Sequence, residues 1–177
     1  DPQRVLGTGT ALDTARLRYL LGAHLHVDPR NIHAYVMGEH GDSEFVPWSQ
    51  AMVATCPVQE LLGRTPLVQQ ELLDQIAEEV RGAAYRIIEA KKATYYGIGM
   101  AMTRITKAIL GDENSVLTVS AMLNGEYGQH AVFAGVPCII GQNGVKRVLE
   151  LPLKEEELER LAHSCDILRN SVEGLTL

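Results

Sequence analysis

Three apolar runs rich in β-branched residues constrain the fold of this chain more than any other feature. They are SVLTVSAML, AVFAGVPCIIG and GVKRVLEL, which follow one another between residues 115 and 151 with glycine-containing turns between them. Runs of this length and composition indicate strands, and consecutive strands joined by short turns favour an antiparallel meander. Apolar residues at helical spacing lie outside this region, in residues 11–25, 68–110 and 153–175. Strands grouped apart from long helices predict an α+β fold.

Smaller elements are expected in the first third of the chain. NIHAYVMG and EFVPWSQAMV are typical of two strands, and the polar turn GEHGDSE between them would close a hairpin. Residues 57–66 have the composition of a linker. The long helical pattern after them is expected to kink or break between Lys91-Lys92 and Gly97.

Composition excludes several classes of protein. The chain has 177 residues with 16 Lys and Arg against 22 Asp and Glu, so its net charge of −6 argues against nucleic acid or an anionic membrane as a partner. No apolar run reaches the ~18 residues of a membrane helix, and the first residues do not resemble a signal peptide. Cys56, Cys138 and Cys165 are far apart, which predicts reduced thiols in a cytoplasmic protein. The length suits one domain or two small ones.

The turn GEHGDSE contains the first candidate for proton transfer, His40. Taken alone, a histidine in a polar turn is more often solvated than catalytic, although its ordinary pKa suits acid–base work. Asp13 and Arg16 lie three residues apart on the first predicted helix and therefore on one side of it. They form either a surface ion pair or, if that helix packs beside the turn, a carboxylate that orients the imidazole and an arginine that binds a substrate carboxylate.

Other candidates are weaker on spacing alone. Arg18 lies about 200° around the helix from Arg16 and should face solvent or a neighbouring subunit. His33 has the position of a half-exposed strand histidine. Thr94 and Ile98 are four residues apart on a predicted helix with glycines close by, which is either ordinary packing or a place where a flat group approaches the backbone. The remaining histidines have no ligand-spaced partners, so no metal site is predicted.

Four longer segments are similar to a known family. GTGTALDTARLRYLL, HAYVMGEHGDSEFVPWS, KKATYYGIGMA and VLTVSAMLNGEYG resemble the C-terminal half of bacterial L-lactate dehydrogenases, of the lactate/malate dehydrogenase superfamily, and the resemblance runs along essentially the whole chain. It implies that residues 1–177 are the substrate-binding and catalytic C-terminal domain, without the Rossmann domain that binds most of the NAD. The implied reaction is the reversible NADH-dependent reduction of pyruvate to L-lactate, a step of glycolysis and fermentation in the cytoplasm.

The resemblance also implies a role for each matching residue. His40 corresponds to the acid–base residue that protonates the pyruvate carbonyl oxygen, and Asp13 to its carboxylate partner. Arg16 corresponds to the arginine that binds the substrate carboxylate through two hydrogen bonds. Thr94 corresponds to a residue of the substrate pocket, and Ile98 to an apolar contact of the nicotinamide ring.

Arg18 and His33 coincide with the pair that binds fructose bisphosphate between subunits of tetrameric, allosteric lactate dehydrogenases. The resemblance therefore implies a homotetramer with this sugar phosphate as activator. Two alternatives stay open at this point. One is a malate or other 2-hydroxy-acid dehydrogenase of the same superfamily, and the other is an isolated module that assembles or binds the effector without catalysis.

Overall fold

The computed structural model describes residues 1–62, 64–65 and 67–174, and these form an α+β fold, as predicted. The helices are α1 (Ala11–Leu25), α2 (Val58–Leu61), α3 (Gln70–Arg81), α4 (Ala83–Lys91), α5 (Tyr96–Leu110) and α6 (Glu155–Glu173). The strands are β1 (Ile32–His33), β2 (Met52–Val53), β3 (Cys56–Pro57), β4 (Ser115–Asn124), β5 (His130–Gly141) and β6 (Gly144–Val148). In the part of the chain that the structure describes, every helix is too short or too polar to span a lipid bilayer.

The three apolar runs form the predicted antiparallel meander. β5 lies in the middle, pairing with β4 on one side and with β6 on the other, and Val119 lies opposite Val136. One face of this sheet is covered by α5 and α6, which contribute Ile105 and Leu161 to an apolar core. Burying these faces against one another removes apolar area from water and holds the sheet and helices together.

A second core joins α1 to α3. Leu17 and Leu21 lie one turn apart on α1 and are buried in the same cluster as Leu73 and Val80 of α3. Residues of the segment after β1 also belong to this core. The helical spacing of Leu17 and Leu21 therefore corresponds to a buried apolar stripe on α1. The rest of the helix surface is left for contacts outside this core.

The predicted long hairpin of residues 31–53 is wrong in its length. β1 and β2 have two residues each, and the segment between them forms an isolated bridge from Met37 to Phe45. Pro47 has no N–H to donate, and a 3₁₀ turn, Trp48–Gln50, interrupts the expected strand before β2. Gly38 does not pair within the hairpin. It exchanges two backbone hydrogen bonds with Gly135 of β5, at 2.9 and 2.8 Å.

The helical region also differs from the prediction in three places. Residues 57–66 are predicted to be a linker, but the end of β3 and all of α2 lie among them. Gly63 and Pro66 of this range lie outside the described residues. The break after Lys91 is confirmed, with Lys92 in the left-handed conformation, and a second break occurs at Gly82. Because α5 begins at Tyr96, Thr94 precedes the helix and does not share it with Ile98, contrary to the prediction.

Substitution of Gly135 tests how tightly the turn is held on the sheet. A Cβ atom there would meet Thr10 Oγ1 at 2.7 Å and the Gly38 carbonyl oxygen at 2.9 Å. We expect Gly135→Ala to lower the free energy of unfolding by about 1–3 kcal/mol, as overpacking does. Urea denaturation measures this. Gly99→Ala is the control, since its methyl group meets no atom within 4 Å and should stabilise α5 by up to about 1 kcal/mol; equal effects of the two would contradict the prediction.

Candidate functional site

The turn that contains His40 is held in place by the C-terminal helix. Ser164 of α6 is fully buried and donates its hydroxyl to the Ser43 carbonyl oxygen at 2.9 Å. The Ser164 hydroxyl oxygen in turn accepts the backbone N–H of Glu39 at 3.2 Å, and it lies 2.8 Å from the Ser43 hydroxyl. Gly38, at φ +97°, allows the backbone to pass this close to Ser164. The turn is therefore tied to the core at both ends and its geometry is fixed.

Three threonine hydroxyls orient α1 toward the same turn. Thr10 donates to the Val36 carbonyl oxygen at 2.6 Å, and Thr14 accepts the Val36 N–H at 2.9 Å. Thr14 also shares a 2.8 Å hydrogen bond with Thr118 of β4. These buried contacts lock the first two turns of α1 to the segment that leads into the turn, which brings Asp13 within reach of His40.

Asp13 joins His40 and Arg16 into one cluster. Its carboxylate is almost completely buried; Oδ2 lies 2.6 Å from His40 Nδ1, and Oδ1 accepts a hydrogen bond from Arg16 Nη1 at 3.0 Å. A buried carboxylate is costly unless it is paired, and here two cationic groups pair with it. Of the two interpretations of Asp13 and Arg16, the structure supports the clustered one over a solvated surface pair.

Glu44 is a member of this cluster that the sequence interpretation missed. Its side chain is 5% exposed and Oε2 lies 3.8 Å from His40 Nδ1, on the same nitrogen that faces Asp13. Burial raises the pKa of the Glu44 carboxyl, and the contact with His40 opposes that rise. In the sequence Glu44 is one of several polar residues of a turn, and only the bridge from Met37 to Phe45 brings it inward.

The two carboxylates control the protonation of His40. The close contact with Asp13, and then the interaction with Glu44, raise the pKa of the imidazole to about 10, although burial acts in the opposite direction. At neutral pH the ring is therefore an imidazolium whose Nδ1 faces the carboxylates. Its second N–H, on Nε2, is the proton that such a ring can deliver to a bound molecule.

Four of the predicted residues line one cleft. This cleft has a volume of about 360 Å³, lies between α1, α4 and α5, and is lined by Arg16, His40, Thr94 and Ile98 together with Leu12 and Lys91. Asp13 is buried behind them and pairs with both Arg16 and His40. The arrangement places an arginine fork, a proton donor, a threonine and an apolar wall around one small space, which suits a small carboxylate with a polar group beside it.

Arg18 does not line this cleft, in keeping with its angle on the helix, but it is partly buried within this chain and is not directed to solvent as predicted. It lines a different cavity, of about 240 Å³, and its guanidinium lies 5.0 Å from the centre of the Tyr35 ring. Nε donates to the Ala34 carbonyl oxygen at 3.0 Å, and burial lowers the Arg18 pKa. His33 is exposed on β1, next in sequence to Ala34. Arg18 is thus linked to the residue that follows His33 in the chain.

Asp13, His40 and Glu44 also form a group with the donor atoms of a metal site, all within 4.8 Å of one another. Oδ2 and Nδ1 are only 2.6 Å apart, which is the separation of a close ion pair between these two side chains. The three cysteines are unpaired, with Cys138 and Cys165 buried.

Comparisons with known proteins agree with this architecture. Residues 10–176 match the lactate/malate dehydrogenase, alpha/beta C-terminal domain family. The chain is 53% identical over 170 residues to L-lactate dehydrogenase 2 of Bacillus anthracis, covering 96% of this chain and 54% of that protein. It is 52% identical over 172 residues to an L-lactate dehydrogenase of Oceanobacillus iheyensis, covering 97% of this chain and 54% of that one.

A solved structure gives the same result. The minor L-lactate dehydrogenase of Enterococcus mundtii in the ligands-bound form superposes with a TM-score of 0.96 at 45% identity, over 100% of this chain and 56% of that one. The chain therefore spans about half the length of the curated relatives and of the solved chain that it matches.

Replacing Asp13 tests the electrostatic account of His40. We expect Asp13→Asn to bring the His40 pKa from about 10 down toward the ordinary 6.5, as followed by NMR of the ring. Because the folded-state pKa is the higher one, the ion pair stabilises the fold fully below pH 6.5 and loses this effect as the pH rises through about 10. The stability advantage of wild type over the variant should therefore shrink with rising pH.

Asp28→Asn is the matched control for this substitution. Asp28 is paired with Arg30 on the surface, away from the cluster. The Asp28→Asn variant should leave the pKa of His40 unchanged. A His40 pKa that stays near 10 in Asp13→Asn would contradict the assignment of the shift to Asp13.

Proposed function

The chain belongs to the lactate/malate dehydrogenase family, and we propose that it is the substrate-binding and acid–base half of an NAD-dependent L-lactate dehydrogenase. The observation that carries this proposal is the cluster in the cleft, in which buried Asp13 pairs with both His40 and Arg16. The proposed reaction is pyruvate plus NADH and one proton to L-lactate plus NAD⁺.

Arg16 is the proposed carboxylate-binding residue. One of its terminal nitrogens is held by Asp13, which fixes the plane of the guanidinium at the wall of the cleft. A planar fork with further N–H groups binds a carboxylate through two parallel hydrogen bonds, as a lysine ammonium cannot. Such a contact would place the 2-oxo group of the substrate next to His40 on the same wall.

His40 is the proposed proton donor. The raised pKa keeps it protonated at neutral pH, which is the form that the reduction of a ketone consumes. Its proton passes to the carbonyl oxygen as the carbonyl carbon is reduced, and the resulting neutral imidazole takes the proton back in lactate oxidation. Asp13 stabilises the charged ring and fixes its orientation through Nδ1.

The proposed cofactor, NAD, would contact this chain only at the edge of the cleft. NADH supplies the hydride, and most of its binding is assigned to a nucleotide-binding domain. The cleft fits the nicotinamide because Ile98 forms an apolar wall beside Thr94, with no charge on that side chain to oppose a flat ring. Thr94 is the proposed wall of the substrate side-chain pocket.

We further propose that Arg18 and His33 form a fructose bisphosphate site in a homotetramer, in a glycolytic enzyme of the cytoplasm. Arg18 is partly withdrawn from water and lines a separate cavity that adjoins the cleft at Leu12 and Gly97, so a phosphate on Arg18 would be bound without contacting Arg16 or His40. Positive charges gathered from neighbouring subunits would repel one another until a phosphate joined them, which gives binding a way to favour the assembled form.

The function is tested by NADH oxidation with pyruvate, in an enzyme that carries this chain together with a nucleotide-binding domain. We expect His40→Asn to lower kcat by about 10²–10⁴-fold, the usual contribution of general acid catalysis, without changing the oligomeric state. His24→Gln, on the exposed end of α1, is the control. Turnover of His40→Asn within tenfold of wild type would exclude His40 as the proton donor, and a faster wild-type rate with oxaloacetate would favour malate dehydrogenase.

The effector site is tested by replacing both of its residues. The double variant Arg18→Gln, His33→Gln should lose the response of the rate to fructose bisphosphate, because the phosphate loses its two cationic partners. Arg30→Gln with His24→Gln removes the same residue types from exposed positions elsewhere and should keep the response. Activation that survives in the first double variant would place the effector site elsewhere. Effector binding without NADH oxidation in wild type would favour the non-catalytic module.

A further inference from the structure

Glu44 is a group of the cluster to which the proposed reaction gives no role. Its carboxylate is buried, and burying a carboxylate costs free energy that something nearby must offset. Two cationic groups lie close to it. His40 Nδ1 is 3.8 Å from Oε2, and Arg81 of α3 donates to the Glu44 backbone carbonyl oxygen at 3.4 Å.

We infer that Glu44 is a positioning residue, a second carboxylate that holds the His40 imidazolium in place alongside Asp13. The inference rests on the proposed function for its catalytic meaning, but the contact itself stands on geometry. Both carboxylates approach the same nitrogen, Nδ1, at 2.6 and 3.8 Å. Asp13 lies at hydrogen-bond distance, while Glu44 lies at the longer distance of an ion pair.

The two contacts come from different parts of the fold and constrain the ring differently. Asp13 is fixed on α1, whereas Glu44 belongs to the turn of His40 itself and follows it by four residues. Because the turn is closed by Met37 and Phe45, Glu44 moves with the histidine. Two carboxylates at Nδ1 favour the ring orientation in which that nitrogen faces the protein and the second N–H faces the cleft.

Other charged and titratable groups also surround the imidazole, and each enters the expected pH dependence. The groups near the cluster are Asp13 and Arg16 of α1, Lys91 of α4, Tyr95 and Tyr96 at the start of α5, and Arg81 beside Glu44. Asp13 and Glu44 are the two that raise the His40 pKa. Removing the charge of Glu44 should therefore lower this pKa while leaving it above the ordinary value.

The test is Glu44→Gln, which removes the charge and keeps the shape. We expect the His40 pKa, followed by NMR in the intact protein, to fall by about one unit, at the low end of the usual effect of a nearby opposite charge because the ring is half exposed. The alkaline limb of the pH profile of pyruvate reduction should move down by the same amount. Glu44→Asp keeps a negative charge and should restore most of the shift.

Glu39→Gln is the matched control from the same turn. The Glu39 carboxylate accepts a hydrogen bond from Ser43, on the side of the turn that faces α6, so this variant should leave the histidine titration unchanged. An unchanged His40 pKa in Glu44→Gln would overturn the inference, as would an equal loss in Glu44→Asp, which would indicate shape and not charge.

A measurement on wild type keeps the inference testable if Glu44→Gln does not fold. The ¹³C resonance of the Glu44 carboxyl should shift at the pH at which His40 loses its proton, and a flat signal there would contradict the contact. The NMR titration does not depend on turnover. A wild-type enzyme that titrates as expected but does not reduce pyruvate would refute the proposed function alone.

Discussion

The buried carboxylate of Asp13 is the constraint on which the rest of the site depends. A carboxylate removed from water must be paired, and in this chain its two oxygens meet two different groups, Arg16 and His40. One interaction thus fixes the plane of a guanidinium and the protonation state of an imidazole at once. Because both groups line the same cleft, the cost of burying Asp13 is offset by contacts that also prepare the site for a small carboxylate.

The fold meets this requirement by holding a turn and a helix rigidly against one another. Thr10 and Thr14 tie α1 to the entry of the turn, and Ser164 ties its far side to α6. Buried hydrogen bonds of this kind specify a unique arrangement, since a misplaced partner leaves a polar group unsatisfied.

α1 also places two arginines in separate cavities. Arg16 and Arg18 are two residues apart and line two neighbouring cavities, which share Leu12 of α1 and Gly97 of α5. Two anions could therefore occupy the two cavities without competing for one arginine. Since both arginines belong to one helix, a shift of α1 caused by a ligand in one cavity would be felt in the other.

The sequence by itself determined the α+β class, the meander, α1 and α6, because apolar periodicity and glycine turns are local signals. It also indicated the grouping of Asp13, Arg16 and His40, through helical spacing for the first two and a family resemblance for the third. Only the tertiary structure decided that Gly38 pairs with Gly135, which shortens the expected hairpin, that Thr94 precedes α5, and that Glu44 turns inward. These features depend on contacts between residues far apart in the chain, and no local pattern of residues encodes which distant partner a backbone group or a carboxylate will meet.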